Sequence, residues 1–279
     1  MPKVGELVPY WINPKRSAKL YLGDSVEILK ALGSNKSNLN TVNLAFADPP
    51  FNIGHEYDEY KDTLSPKSYL RWTKECLSAI KPLMNKRGCV WVAMAIKYQA
   101  EVKLIMDELG YYWRDTVVWH YSFGPSQRHK LTPSWVALHY YGIHPTIGTW
   151  NGDAIRVPSA RQVRYSDKRA NSSGKIPDNV WCLYPTEEDP VYDPLSNTWR
   201  ISRVCGTFKE RTPHPCQMPE SLLTRIITLC SSPGDLVLDP FLGSGTTAAC
   251  ALQLKRNCIG IELSKNYMDT IIIPRLSSL

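Results

Sequence analysis

Long apolar segments are missing from this sequence of 279 residues. It has no run of about 18 apolar residues, the length that a membrane-spanning helix needs, and no segment with the pattern of a signal peptide. We therefore expect a soluble protein of the cytoplasm with no membrane partner. Internal repeats, low-complexity tracts and an acidic tail are also missing, which argues against a solenoid or a disordered chain. A chain of this length can bury a large core, and one α/β domain with a sizeable insertion is the natural organisation.

Paired cysteines are missing as well. The eight cysteines are scattered singly between Cys76 and Cys258, with no CxxC pair and no histidine-rich partner segment. A zinc site needs clustered thiolate or imidazole ligands, and a disulfide framework is typical of small secreted domains. The sequence therefore predicts reduced thiols in the core, with no metal site and no disulfide framework.

The chain is organised around the stretch Thr41–Asn52, TVNLAFADPPFN. Its apolar first half predicts a buried strand that ends at Asp48. Pro49 and Pro50 fix two φ angles and lack backbone N–H groups, so the turn is stiff and its carbonyls can accept hydrogen bonds. With the ring of Phe51, this pattern suits a planar amine, whose two hydrogens a carboxylate and a carbonyl can accept. The alternative is an ordinary strand followed by an Asp-Pro turn.

A second strand that ends on a carboxylate lies in Asp235–Thr247, DLVLDPFLGSGTT. The apolar segment Leu236–Leu238 predicts the strand, and Asp239 follows it. Gly243 and Gly245 let the backbone approach a ligand closely, and the helix expected next presents free N–H groups at its N-terminus. The pattern indicates a turn that binds a ligand.

A third carboxylate completes this half of the chain. The helix predicted over Thr246–Leu254 leads to a strand over Cys258–Ile261, which ends on Glu262. A carboxylate at the tip of the second strand of a βαβ unit is placed to accept hydrogen bonds from ribose hydroxyls. The spacing from Gly245 to Glu262 is typical of a nucleoside-binding fingerprint, although the glycine pattern differs from that of dinucleotide-binding proteins.

Together these motifs resemble the amino-methylating DNA methyltransferases that use S-adenosylmethionine. Asp48–Phe51 matches the catalytic tetrapeptide of that family, and Asp239–Thr246 matches its cofactor loop. The catalytic motif precedes the cofactor loop, which is the permuted order of the family's β class. Leu22–Asp24 and His214–Pro219 are weaker matches, and the resemblance covers about 1–120 and 206–279 of the sequence.

The resemblance implies roles for particular residues. The catalytic residues that it implies are Asp48, Pro49, Pro50 and Phe51. The cofactor-binding residues that it implies are Asp24, Asp239, Phe241, Gly243, Ser244, Gly245, Thr246 and Glu262. Asp24 lies between a strand predicted over Lys19–Gly23 and a helix predicted over Ser25–Leu32, where a simple N-cap is an equally good explanation. The resemblance implies that Asp24 also holds the adenine amine of the cofactor.

Alternating strands and helices predict the fold. A helix is expected to start at Ser65 and to end at Gly88. A strand over Cys89–Ala95, a helix over Ala100–Leu109 and an extended segment over Tyr112–Tyr121 follow. This alternation favours an α/β, doubly wound, mostly parallel sheet. The resemblance implies the Rossmann-like fold of S-adenosylmethionine-dependent methyltransferases.

Positive charge is concentrated between Arg128 and Lys175, where eight Lys or Arg residues face two acidic ones. The resulting net charge of +6 is most of the formal +7 of the chain. Such a stretch, interleaved with aromatic residues, is typical of contact with a phosphate backbone, although a solvated loop is the ordinary alternative. The candidate DNA-binding residues are Arg128, Lys130, Arg161, Arg164, Lys168 and Arg169. The acidic stretch Glu187–Asp193 is expected to face away from DNA, and the core to resume near Ile201.

Three segments organise the chain in this interpretation. Residues 1–121 form a catalytic half, residues 122–205 an inserted basic target-recognition region, and residues 206–279 a cofactor-binding half. The polar segment Asn52–Thr63 is expected to form a mobile loop near the target base.

The resemblance implies transfer of a methyl group from S-adenosylmethionine to the N6 amine of an adenine that is flipped out of double-stranded DNA, without a metal. Asp48 and the Pro49 carbonyl would accept the two amine hydrogens, and Phe51 would stack on the base. In the family, aspartate in the first motif position leans toward adenine and serine toward cytosine, so N4-cytosine methylation is the runner-up. A homodimer, and a restriction endonuclease that acts on the same site, are candidate partners.

Other chemistries and a non-catalytic role are alternatives. Pro215 and Cys216 resemble the dipeptide that carries the nucleophile of cytosine C5 methyltransferases, but that chemistry needs an upstream cofactor loop and leaves Asp48–Phe51 without a role. A DNA-binding module without activity would be expected to have lost some of the site residues. Enzymes that methylate RNA or a protein amide are a further alternative. Asparagine usually opens the related tetrapeptide in those enzymes, and this chain has Asp48 at that position. Position 218, often lysine in the β class, is Met218 here.

Overall fold

A computed structural model of the protein describes residues 7–13, 18–121, 128–129, 131–163, 165–181, 204 and 210–279. The strands are β1 Trp11–Asn13, β2 Ala18–Leu22, β3 Val42–Ala47, β4 Met84–Ala95, β5 Tyr112–His120, β6 Trp135–Gly142, β7 Val180–Trp181, β8 Leu236–Asp239 and β9 Asn257–Glu262. The helices are α1 Ser25–Ser34, α2 Pro66–Ile80, α3 Gln99–Glu108, α4 Ala160–Val163, α5 Glu220–Cys230, α6 Thr246–Gln253, α7 Lys265–Tyr267 and α8 Ile273–Ser277. A π-helical turn, Met268–Ile272, joins the last two helices, and short 3-10 turns cover Lys36–Asn38, Lys81–Leu83 and Gly152–Ile155. No helix in the described ranges is long and apolar enough to cross a membrane.

The described strands form one sheet in the order β1-β2-β9-β8-β3-β4-β6-β5-β7. The pairs β2 with β9, β9 with β8, β8 with β3, and β3 with β4 are parallel, whereas β6 runs antiparallel between β4 and β5. The predicted fold class, a doubly wound and mostly parallel sheet, is confirmed. The strand that follows β3 in the chain, β4, lies on one side of the β3–β8 pair, and the strand that follows β8, β9, lies on the other side. This reversal of strand order leaves a crevice between β3 and β8 at their carboxyl ends, where ligands bind in such sheets.

Both faces of the sheet are buried, because neighbouring residues of the central strand belong to different cores. Leu44 and Phe46 of β3 pack on the face that α5, α6 and α8 cover. Ala45 and Ala47, which alternate with them, pack on the face that α1, α2 and α3 cover. A strand that is buried on both faces has a nearly continuous apolar sequence, and this pattern led to the prediction of β3 as a buried strand.

The predicted helix start at Ser65 is confirmed, but the predicted helix end at Gly88 is wrong. Ser65 caps α2 by accepting a hydrogen bond from the Ser68 backbone N–H at 3.2 Å. The helix ends eight positions before Gly88, which lies inside β4 where its pairing with β3 is irregular. A Cβ at Gly88 would lie 3.0 Å from the carbonyl oxygen of Val42, so glycine is needed there for close backbone approach rather than for a helix end.

Strand β6 was not predicted from the sequence; it lies within the basic region of residues 122–205. Residues Val136–Gly142 are buried, and β6 pairs along its length with β4 and β5. The region was interpreted from its net charge, and the short apolar run within it was not considered separately. Part of that region therefore belongs to the central sheet.

Candidate functional site

A cavity of about 1130 Å³ opens at the carboxyl ends of the central strands. Asp48 directly follows β3, while Asp239 and Glu262 are the last residues of β8 and β9. All three carboxylates line the cavity, together with Asp24 beyond the end of β2. Of the residues that the sequence assigned to catalysis and cofactor binding, the structure places all on the cavity wall except Gly245. Parallel strands thus bring together motifs from the two ends of the chain.

The turn after β3 presents two unequal carbonyl acceptors. The Tyr69 hydroxyl donates to the Pro50 carbonyl oxygen at 2.9 Å. No described residue donates a hydrogen bond to the carbonyl of Pro49 or to the carboxyl of Asp48. These two groups are therefore free to accept hydrogens from a ligand. Nothing in the sequence indicated this bond from Tyr69 to the turn.

The loop after the catalytic turn is closed on itself by the buried side chain of Asp62. Its carboxylate accepts hydrogen bonds from the backbone N–H groups of Asn52 at 2.7 Å, Ile53 at 3.0 Å and His55 at 3.0 Å. Asn52 has a positive φ of 53° and exchanges hydrogen bonds of 2.7 and 2.9 Å with the backbone of Leu64. The expectation of a mobile segment over residues 52–63 did not foresee this scaffold.

The same loop reaches across the cavity to the cofactor-binding half. The ring centroid of Tyr57 lies 6.5 Å from that of His214. Burial and the neighbouring Cys216 raise the pKa of the Tyr57 hydroxyl. Beside it, Asp58 accepts a hydrogen bond from the side chain of Asn266 at 2.8 Å. The loop therefore forms one wall of the cavity and contacts both halves of the site.

The glycine-bearing turn after β8 is built around left-handed backbone. Gly243 has φ of 53°, and a Cβ there would lie 3.0 Å from Cε1 of His214. Its N–H donates to Oε2 of Glu262 at 2.8 Å, and the N–H of Ser264 donates to Oε1 at 2.8 Å. These bonds fix the carboxylate of Glu262 while each oxygen keeps a further lone pair for a ligand hydroxyl.

The side chains of Ser244 and Thr246 are used inside the protein. Their hydroxyls lie 2.9 Å apart. Arg275 donates to the Ser244 carbonyl and to the Thr246 hydroxyl, each at 3.0 Å, and pairs with Glu220 at 2.6 Å. Arg275 thus holds the turn from behind. A single arginine near the end of the sequence gave no signal of this role.

Asp24 performs the capping role that the sequence allowed. Its Oδ1 accepts hydrogen bonds from the backbone N–H groups of Val26 at 2.9 Å and Glu27 at 3.0 Å. The N–H of Gly23 donates to the carbonyl of Glu262 at 2.8 Å, which places Asp24 beside the end of β9. Because the cap uses only Oδ1, Oδ2 is left to accept a hydrogen bond in the cavity.

Burial raises the pKa of all three central carboxyl groups. The pKa of Asp48 rises from 3.8 to about 8, through burial and the nearby charge of Asp239. The pKa of Asp239 rises to about 6, with hydrogen bonds from Thr247 and the Phe241 N–H opposing the shift. For Glu262 the pKa rises to about 7, again by burial, and hydrogen bonds from the backbone N–H groups of Ser264, Gly243 and Leu263 oppose the shift. The carboxyl with no donor has the highest pKa.

Two further side chains that line the cavity, those of Trp72 and Lys97, were not predicted from the sequence. Trp72 of α2 packs with its ring centroid 5.5 Å from that of Phe241, which adds a flat apolar surface near Asp24 and the cofactor turn. Lys97, just after β4, is exposed on the rim and donates to the carbonyl of Asn52 at 3.1 Å. Met218 is 9% exposed and packs in the core, and it also lines the cavity, where its thioether brings no charge.

The predicted DNA-binding residues divide into three groups. Arg128 and Lys168 are exposed. Arg161 and Arg169 are exposed but pair with the same carboxylate, Asp167, at 2.7 and 3.0 Å, and they lower its pKa. The remaining two candidates, Lys130 and Arg164, lie outside the described residues, as do the acidic stretch 187–193 and residue 201.

Comparison with known proteins gives consistent matches. Residues 42–273 match the N6/N4 methyltransferase family model, described as DNA methylase. The Type II methyltransferase M.HpaI of Haemophilus parainfluenzae is 32% identical over 256 residues, which cover 90% of this chain and 72% of that protein. The DNA adenine methyltransferase YhdJ of Escherichia coli is 30% identical over 262 residues, which cover 88% of this chain and 78% of that protein.

Solved structures show the same fold at lower identity. The cytosine-N4-specific PvuII DNA methyltransferase aligns with a TM-score of 0.64 at 18% identity, covering 93% of this chain and 86% of that one. The M1.HpyAVI complex with S-adenosylmethionine aligns with a TM-score of 0.55 at 22% identity, covering 92% of this chain and 98% of that one.

The role of Asp62 is testable by hydrogen exchange. In an Asp62→Ala variant, the amides of Ile53 and His55 should exchange about tenfold faster or more, because each loses a hydrogen bond to a charged acceptor. Glu59→Ala, an exposed change in the same loop, is the matched control and should leave these rates unchanged. Equal rates in Asp62→Ala and the unmodified protein would contradict the scaffold.

The raised pKa values predict how stability depends on pH in the ligand-free protein. Above pH 6.5 the unfolded chain has already ionised Asp48, whereas the folded protein still holds its proton until about pH 8. Because the folded state binds more protons in this window, the free energy of unfolding should fall as pH rises, with Asp48 contributing about 1–2 kcal/mol. Urea unfolding at pH 6.5 and pH 8 measures the difference.

An Asp48→Asn variant isolates this contribution, since the amide does not titrate. Its stability should fall much less than that of the unmodified protein over the same window, with Glu262 responsible for the remainder. The buried His214 has a pKa lowered from 6.5 to about 4, so its opposite effect on stability is largest between pH 4 and 6.5 and fades just above the lower edge of the window. A slope that Asp48→Asn leaves unchanged would show that Asp48 is already ionised at pH 6.5.

Proposed function

The chain belongs to the N6/N4 family of DNA methylases, and from that premise we propose that it methylates the N6 amine of adenine in double-stranded DNA. As a member of this family it is an S-adenosylmethionine-dependent DNA methyltransferase. The observation that most supports an exocyclic amine as the target is the carboxylate of Asp48 beside the carbonyl of Pro49, neither of which accepts a hydrogen bond from a described residue. Two acceptors side by side at the edge of a cavity suit a group with two hydrogens on one nitrogen.

The residues around the glycine turn fit the cofactor. Gly243 could not carry a side chain without meeting His214, so the turn leaves its backbone open to a ligand. Glu262 is held with lone pairs available for ribose hydroxyls, and Asp24 has Oδ2 available for an amine. S-adenosylmethionine, when bound, supplies a methyl group activated by a positively charged sulfur. A positive charge in this cavity favours ionised Asp48.

In the proposed reaction Asp48 and Pro49 activate the target amine. Both accept a hydrogen bond from the amine nitrogen, which draws its lone pair out of conjugation with the base and directs it to the methyl group. As the nitrogen gains a methyl group it must lose a proton. The Asp48 carboxylate accepts a hydrogen bond from that nitrogen, so it is placed to receive the proton.

The target base must leave the helix to reach these groups, because Asp48 lies inside a cavity. We propose that Phe51, which is partly buried beside both core clusters, stacks on the flipped base. The exposed basic residues of the 122–205 region outside β6 are the proposed phosphate contacts, with residues 1–121 and 206–279 as the catalytic and cofactor-binding halves. Binding to DNA should then weaken steeply with salt.

The choice of adenine over cytosine has two supports. Asp48 opens the catalytic motif, and the resemblance associates aspartate there with adenine. YhdJ, at 30% identity, is named as a DNA adenine methyltransferase, whereas the cytosine-specific PvuII enzyme shares only 18% identity with this chain. N4-cytosine methylation remains the alternative, because the same two acceptors suit its amine. Several relatives are Type II methyltransferases, which supports a cognate restriction endonuclease as a proposed partner. A homodimer is a further proposal.

The proposed function predicts the identity of the product. The purified protein should be incubated with unmethylated genomic DNA and labelled S-adenosylmethionine, and the DNA digested to nucleosides. Label should appear in N6-methyladenine. Label in N4-methylcytosine would move the assignment to the alternative, and no label would contradict both.

Asp48→Ala is the matched variant for this assay, because it removes one of the two amine acceptors. It should abolish transfer, with a loss of at least about a thousandfold, while calorimetry shows cofactor binding within about threefold of the unmodified protein. Substantial transfer by this variant would contradict the role of Asp48. Loss of cofactor binding would show that the change disturbs the cavity instead.

A further inference from the structure

We propose that Leu131 enters the DNA helix and fills the space that the flipped base leaves. This inference rests on the proposed function, since it concerns how the target base is kept out of the stack. The observation behind it is an apolar side chain held in water at the mouth of the cavity. Leu131 is 93% exposed, more than any other large apolar residue in the described ranges.

The fold places Leu131 at the catalytic edge of the sheet. It lies in the connection between β5 and β6, just before β6 begins. The N–H of Tyr121 donates to the carbonyl of Ser134 at 2.8 Å, and Val136 pairs with Ala95 at the end of β4. The connection therefore leaves the sheet at the same edge as Asp48. Leu131 lines the cavity although it is almost fully exposed, so it stands on the rim.

Residues around Leu131 suit a nucleic-acid partner. Arg128 and His129 are exposed three and two positions before it, and a lysine immediately precedes it in the sequence. The exposed guanidinium of Arg128 suits contact with a phosphate next to a flipped nucleotide. Pro133 restricts the backbone after Leu131 and also lines the cavity. An exposed apolar tip with an exposed arginine three positions before it in the chain complements a gap in a base stack, which is apolar inside and bordered by phosphates.

The side chain of Leu131 would gain free energy from contact with DNA that it does not gain in the free protein. Exposed leucine gains nothing for folding, whereas transfer of its side chain from water into the stack is favourable. Unstacking a base pair is costly, and proteins that deform DNA commonly insert leucine or other apolar side chains between bases to offset that cost. Leu131 would act by positioning the target base rather than by contacting the reacting atoms.

The test compares two duplex oligonucleotides that carry the site methylated in genomic DNA, one fully paired and one with an abasic position opposite the target base. Leu131→Ala should lower kcat/KM on the paired duplex about tenfold, because the energetic gain from insertion is lost. On the second duplex the base is already unpaired, so the variant should match the unmodified protein within about twofold.

Two further variants serve as controls. Leu104→Ala removes another exposed leucine, 67% exposed on α3 and away from the cavity, and should leave both rates unchanged. Ile53→Ala removes the 60% exposed isoleucine on the facing loop of the rim. An equal loss on both duplexes, no loss with Leu131→Ala, or duplex-dependent loss with Ile53→Ala alone would overturn the inference. Absence of transfer by the unmodified protein would overturn the proposed function, and this inference with it.

Discussion

The site depends on three carboxyl groups, two buried and one half-buried, at the carboxyl ends of neighbouring parallel strands. Burial of a charge is costly unless donors surround it, and the protein supplies those donors unequally. Backbone N–H groups, among them those of Gly243 and Ser264, donate to Glu262, and Phe241 and Thr247 donate to Asp239. Asp48 receives none from the described residues, and its pKa is the highest of the three. The fold therefore places its least satisfied acceptor where the target amine is proposed to bind, and this is the physical basis of the proposed chemistry.

The order of the motifs along the chain matters less than the order of the strands. Asp48 and Asp239 lie far apart in the sequence, yet β3 and β8 are adjacent and parallel. Because the sheet reverses its strand order at this pair, the catalytic turn and the cofactor turn face the same crevice. A permuted chain can thus build the same site, provided that these two strands remain neighbours.

Local sequence signals predicted the parts of the site that local chemistry determines. Apolar runs that stop at Asp48, Asp239 and Glu262 located three strand ends, and the glycines located the turn after Asp239. Contacts between distant segments had no such signal. Tyr69 on Pro50, Arg275 behind the cofactor turn and Asp62 within its loop became visible only in three dimensions. Strand β6 was missed because the surrounding charge concealed it.

The central claim is that Asp48 and the Pro49 carbonyl accept the two hydrogens of the target amine. A crystal structure of the protein with S-adenosylhomocysteine and a duplex containing its methylation site would measure both distances. The account predicts that the N6 atom of a flipped adenine lies within about 3 Å of a carboxylate oxygen of Asp48 and of the Pro49 carbonyl oxygen. A flipped base whose amine faces away from Asp48, or a target that stays stacked in the helix, would contradict it.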